Sequence, residues 1–123
     1  IGYEYSSSLG MNVIHGFRRG TAKPYIPISA RSSSLSTLEI PPTFMDESLR
    51  RFKALDRLKI LKNHIETVKS IGGVVTFDWH SDLCTPDYLD GATDLLKREI
   101  KDHLADSGCW ITTPSELTDW ITR

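Results

Sequence analysis

The stretch GGVVTFDWHSD, residues 72–82, decides how this chain is interpreted. Two glycines end a helix, a short β-branched and aromatic run follows, and His80 stands where that run stops. Parallel α/β sheets place their ligands at the C-terminal ends of their strands. An imidazole there has an ordinary pKa near neutrality and can donate or accept a proton. We therefore take His80 as the leading candidate for a functional residue, with a satisfied core histidine as the alternative.

The composition fits one soluble globular domain spanning residues 1–123, with 39% hydrophobic and 25% charged residues. The net charge is -1 and the 15 basic residues are spread along the helices, which gives no electrostatic footprint for nucleic acid or an anionic membrane surface. No apolar run approaches the roughly 20 residues that span a bilayer. Cys84 and Cys109 have neither metal-ligand spacing nor the number needed for a disulfide scaffold.

Apolar periodicity predicts a long amphipathic helix over residues 47–71, capped by Asp46 or Ser48 and ended by Gly72 and Gly73. Its apolar stripe consists of Leu49, Phe52, Leu58, Leu61, Ile65 and Val68. The opposite face is basic and is interpreted as a solvated surface; it carries Arg50, Arg51, Lys53, Arg57, Lys59, Lys62 and Lys69.

Two more helices follow. Thr85 and Pro86 predict the start of the second, which ends near Gly108, and the TPSE sequence at 113–116 predicts a capping box at the start of the last. Short strands are predicted at 2–5, 37–40, 74–79 and 109–112, whereas residues 6–36 are mostly loop. Strands that alternate with helices indicate an α/β fold with mostly parallel strands. So few strands would leave both sheet edges unpaired, so the unit is interpreted as part of a larger sheet or barrel.

Acidic residues flank His80. Strand alternation places Asp78 on the same side as His80, and either Asp78 or Asp82 could raise the pKa of the imidazole. A single Asp-x-His supplies too few ligands for a zinc site. Trp79 faces the other side of the strand, where it would be part of the core.

A glycine-rich loop at residues 12–21 is the second candidate region. Gly16 and Gly20 permit tight turns, and Arg18 could form a bidentate pair with a carboxylate. The alternative is an ordinary surface loop with exposed arginines. The helical residues His64 and His103 are expected to be solvated.

Short motifs follow one another in order along nearly the whole chain: GYEYSSSLG (2–10), GFRRGT (16–21) with Pro24 and Tyr25, LEIP (38–41), Met45, Asp46 and Leu49, the 72–80 stretch, and Trp110 with Glu116 and Trp120. Together they resemble the C-terminal half of bacterial polysaccharide deacetylases with NodB homology. The resemblance implies an irregular (β/α) barrel, usually seven-stranded, that removes acetyl groups from N-acetylated sugars. It also implies a divalent metal, expected to be zinc, held by one Asp and two His.

The resemblance assigns roles to single residues. His80 looks like the histidine that protonates the departing amine, Trp79 and Phe77 like the apolar wall near the acetyl methyl, and Arg18 like the arginine of the Gly-Phe-Arg loop. Ser6 stands where relatives carry Asp, which removes a carboxylate from the site.

In such relatives the catalytic base and all three metal ligands precede the segment that begins at Ile1. The resemblance thus implies a partial barrel that supplies His80 and barrel walls but no metal ligand. It would work only with the missing N-terminal half or another chain, in the cytoplasm or cell envelope of a bacterium. In the complete fold the cation would polarise the amide and activate water, an upstream Asp would take a proton, and His80 would donate one.

Two other interpretations stay open. The first is a non-catalytic carbohydrate-binding or scaffold module derived from the same fold, which Ser6 favours. The second is a different α/β hydrolase or phosphatase that shares only the layout.

Overall fold

Short parallel strands and α-helices make up the regular structure. The computed structural model describes residues 2–11, 13–29, 35–80, 91–105 and 108–123. In chain order the elements are β1 (Tyr5–Ser6), β2 (Leu38–Glu39), β3 (Phe44–Met45), a 3-10 helix (Asp46–Leu49), α1 (Ala54–Ser70), β4 (Phe77–Asp78), α2 (Ala92–Leu104) and α3 (Pro114–Thr122). The expected α/β character is confirmed.

The strands form two parallel pairs, which are two separate two-stranded sheets. β1 pairs with β2, and β3 pairs with β4. Between β2 and β3 lie Pro41 and Pro42, which have no N–H to donate and therefore interrupt the ladder. Hydrogen bonds resume on each side of this diproline break: Ile40 N–H donates to Ser6 O at 2.8 Å, and Thr43 N–H donates to Thr76 O at 3.1 Å.

The first helix begins later than its apolar pattern predicts. Ala54 is its first residue and the N-cap is Lys53 without a side-chain hydrogen bond, so the predicted caps Asp46 and Ser48 are wrong. Both residues instead belong to the 3-10 helix, which turns the chain so that Leu49 enters the core. The helix ends as predicted, with Gly72 at a left-handed φ of 61°.

The core lies where α1 and α2 pack together under β3 and β4. Its buried members are Phe44, Leu49, Leu61, Ile65, Ala92 and Leu96. A smaller cluster joins β2 to α3 through Leu38, Ile40 and Leu117. The larger cluster therefore anchors the pair formed by β3 and β4.

The C-terminal third agrees with the sequence in part. The helix α3 has both halves of its predicted capping box. The predicted strand at 109–112 is wrong, because these residues adopt no regular structure and expose Trp110 and Ile111. The predicted start of the second helix at Thr85 and Pro86 lies outside the described residues. Among the helices that are described, none is both long and apolar enough to cross a membrane.

Candidate functional site

Asp46 and His80 meet where two neighbouring parallel strands end. Asp46 directly follows β3, and His80 comes two residues after β4. The register pairs Met45 with Asp78, so the residues that follow them leave the sheet at the same edge. The Oδ1 atom of Asp46 lies 2.8 Å from Nδ1 of His80.

The carboxylate of Asp46 is held by several hydrogen bonds. Its Oδ1 accepts from the backbone N–H of Glu47 at 2.8 Å, and its Oδ2 accepts from the backbone N–H of His80 at 3.1 Å. Because an ionised carboxylate only accepts, Nδ1 of His80 must be the donor in their contact. This fixes the proton of the neutral ring on Nδ1.

Burial divides the pair into a hidden part and an accessible part. Asp46 is 0% exposed, whereas 47% of the His80 side chain is exposed. A buried carboxylate in this position orients the imidazole and stabilises the imidazolium when it forms. The arrangement is suited to general acid or base catalysis at the exposed side of the ring.

Among the described residues, Asp46 contacts the His80 ring, a partner that the sequence does not predict. Asp78 is exposed at the end of β4. Asp82 lies outside the described residues, so its effect on His80 stays a prediction. Sequence reasoning interpreted Asp46 as a helix cap. The signal that could have identified it is its position, directly after a short apolar run that forms a neighbouring parallel strand.

Phe77 and Trp79 both lie against the core. The ring of Phe77 makes an edge contact with Phe44, with centroids 5.8 Å apart. The indole N–H of Trp79 donates to Thr93 Oγ1 of α2 at 3.2 Å. These contacts hold the end of β4 on the helices, and a role of either ring beside an acetyl group stays a prediction.

The Arg18 loop packs beside the start of β3. Arg18 is exposed and its Nη1 donates to Gly10 O at 3.0 Å, while Gly16 N–H donates to Thr43 O at 2.8 Å. Arg18 also lines an open groove of about 330 Å³, whose other lining residues are Gly10, Met11, Val13 and Ile14. The carboxylate-binding role of Arg18 stays a prediction.

His64 packs against His15 of this loop. His64 is only 6% exposed, so its expected solvation is wrong. Its Nε2 lies 3.0 Å from Thr43 Oγ1, and its ring contacts Phe17 and His15, with centroids 5.5 and 5.7 Å apart. Burial, and secondarily the neighbouring His15, lowers the pKa of His64 to about 4. Burial and the charge of Arg51 lower the pKa of His15 as well.

The metal implied by the resemblance finds no ligand set in the part of the chain that is described. No three of its His, Cys, Asp or Glu side chains come together as a metal site would require. His103, expected to be solvated, is partly buried, with Nδ1 3.7 Å from the Sγ of Cys109. The metal ligands remain a prediction about other segments.

Comparisons with protein-family models, curated proteins and solved structures find no match to this chain.

Proposed function

We propose that this chain is the His80-bearing part of a metal-dependent deacetylase that acts on N-acetylated sugars of a polysaccharide and has a (β/α) barrel fold. The observation that carries the proposal is the contact between the buried Asp46 carboxylate and the half-exposed His80 at two strand ends. The order of the motifs along the chain, which resembles that of the NodB-type deacetylases, supports the same function.

The chain's own part in the reaction is proton transfer. As the bond between the acetyl carbon and the sugar nitrogen breaks, the imidazolium of His80 gives its Nε2 proton to the departing amine and becomes neutral. Asp46 keeps the Nδ1 proton in place throughout, which holds the ring in the correct orientation. Because the described residues supply no metal site, we assign them no metal-dependent step.

Other residues have supporting roles in the proposal. Arg18 would bind a carboxylate or the substrate, and Phe77 and Trp79 would form part of the wall around the acetyl methyl. Asp78 and Asp82 would add negative charge near His80. Zinc or another divalent cation would be bound by a segment outside the described residues.

The test is amine release from N-acetylglucosamine oligomers by the full-length protein, measured with fluorescamine. Substituting His80→Ala should lower kcat by roughly 10²- to 10⁴-fold, which is the usual contribution of a general acid. The matched control is His103→Ala, which removes a partly buried imidazole from α2 and should leave kcat unchanged. Equal activity of the wild type and His80→Ala would remove His80 from the mechanism.

A non-catalytic carbohydrate-binding module is the second candidate. The observation that favours it is a pair of exposed indoles, Trp110 and Trp120, whose ring centroids lie 6.0 Å apart. Aromatic faces offer large, rigid apolar surfaces on which a sugar ring can pack. Calorimetric binding of the same oligomers that is lost in Trp120→Ala, with no amine release by the wild type, would favour this candidate.

A further inference from the structure

The position of Asp46 depends on a weak local element. Asp46 is the first residue of the four-residue 3-10 helix, whose turn is closed by Arg50 N–H donating to Glu47 O at 3.1 Å. Helices this short have poorer hydrogen-bond geometry than α-helices and little stability of their own. The bond that closes the turn is therefore not enough to fix the position of Asp46, and further contacts are needed.

Ser48 provides one such contact from within the turn, to the carbonyl that precedes it. Its Oγ donates to the backbone carbonyl of Met45 at 2.6 Å, and the residue is 0% exposed. Met45 directly precedes Asp46 and is the last residue of β3. The hydroxyl of Ser48 thereby ties the turn to the strand end from which Asp46 projects.

Arg57 provides a second contact at the end of the turn. Its Nε donates to the backbone carbonyl of Leu49 at 3.2 Å, and the residue is only 6% exposed. The sequence pattern had placed Arg57 on the solvated basic face of α1, which is wrong. Burying a guanidinium is costly unless its N–H groups are bonded, so the bond to the turn compensates for part of that cost.

We propose that Ser48 and Arg57 are positioning residues for the Asp46–His80 pair. They bind the carbonyls at the two ends of the 3-10 helix and so hold Asp46 Oδ1 at its 2.8 Å contact with His80 Nδ1. Their effect on catalysis rests on the proposed function, but their effect on the pair does not. A displacement of about 1 Å in such a pair can cost roughly 10²-fold in rate.

The tautomer of the neutral His80 ring is measured in the full-length protein by ¹⁵N NMR of labelled histidine near neutral pH. The wild type should show the Nδ1–H tautomer for the neutral His80 ring, because Asp46 accepts from Nδ1. In Arg57→Met the ring should shift toward the Nε2–H tautomer. With N-acetylglucosamine oligomers, kcat should fall about tenfold while KM changes less than about twofold.

Two further variants sharpen the result. Arg57→Lys keeps the charge but loses the planar Nε–H donor, so it should behave like Arg57→Met. Ser48→Ala removes one buried oxygen atom and should shift the tautomer in the same direction. Arg98→Met on the exposed face of α2 is the matched control and should match the wild type in tautomer and kcat.

Wild-type tautomer and kcat in the Arg57 and Ser48 variants would overturn the proposal. If circular dichroism shows that Arg57→Met does not fold, Ser48→Ala decides by the same criteria. A tautomer shift in a protein that releases no amine would support the positioning role and contradict the proposed function instead.

Discussion

A buried carboxylate against a half-exposed imidazole is the residue-level feature on which the proposed function depends. Asp46→Asn keeps the shape but replaces the charge, and the amide NH₂ can donate to Nδ1, which favours the wrong tautomer of His80. We expect kcat for amine release to fall by roughly 10²- to 10⁴-fold. The thermal midpoint should fall as well, because the amide NH₂ faces a backbone N–H whose bond the carboxylate accepted. Asp94→Asn, at an exposed residue of α2, is the control. A kcat within threefold of wild type in Asp46→Asn would contradict the role of the pair.

His64 should make stability sensitive to acid. Burial lowers its pKa to about 4 in the folded state, against 6.5 as its ordinary value. Between those two pH values the unfolded chain binds more protons at His64 than the folded chain does. The contribution of neutral His64 to the free energy of unfolding is therefore fully present above pH 6.5 and is lost as the pH drops toward 4. From pH 7 to pH 5 we expect a loss of about 2 kcal/mol in the free energy of unfolding.

Urea unfolding at both pH values measures this loss. His64→Gln cannot gain a proton, so the variant should lose less stability on acidification than the wild type does. His103→Gln, on α2, is the control and should keep the wild-type pH dependence. An equal loss in wild type and His64→Gln would show that His64 is not responsible.

At the scale of elements, the sequence predicts features whose contacts join residues close together in the chain, and it misses features whose contacts join distant residues. The capping box of α3 joins Thr113 and Glu116, three residues apart, and was predicted correctly. The position of His80 at a strand end follows from the local 72–80 pattern and was also predicted. The role of Asp46 was missed because it arises only when β3 pairs with β4, which lies over 30 residues away.

Burial of polar side chains was the other source of error. The sequence pattern predicts that Arg57 and His64 of α1 are solvated. In the structure Arg57 donates to a carbonyl of the 3-10 helix, and His64 contacts the hydroxyl of Thr43, the residue before β3. No helical periodicity encodes partners that come from another element. The predicted strand at 109–112 failed for a related reason, since none of the described strands pairs with these residues.

Gly73, in the segment that leads into β4, packs closely against Ala22 and against Val68 of α1. A Cβ at this position would lie 2.8 Å from Ala22 Cβ and 3.0 Å from Val68 Cγ1. Gly73→Ala should therefore lower the free energy of unfolding by about 1–3 kcal/mol through overpacking. Gly2→Ala, which meets nothing within 4 Å, is the control in urea unfolding. Equal stability of both variants would show that the close approach relaxes freely.

At the scale of the whole molecule, the sequence predicted an α/β unit with open sheet edges. In the described residues no strand pairs with the outer side of β1 or of β4. Unpaired edges present free N–H and C=O groups to other chains. A polypeptide of residues 1–123 produced alone should therefore associate at micromolar concentrations, as measured by light scattering.

Charge at the edge should reduce that association. Tyr5→Lys places a cation on β1 and should lower the apparent mass. Leu55→Lys, at an exposed residue of α1, is the matched control and should leave it unchanged. A stable, monodisperse wild-type monomer would contradict the prediction.

The diproline break between β2 and β3 has a dynamic consequence. Because Pro41 and Pro42 carry no amide hydrogen, the two ladders share no hydrogen bond across that point. Fluctuations that open the β1–β2 ladder need not propagate to Asp46. In hydrogen–deuterium exchange, the amides of Leu38 and Ile40 and those of Thr43 and Phe44 should behave as two separately exchanging groups, so that opening of the β1–β2 ladder leaves the end of β3 that precedes Asp46 protected.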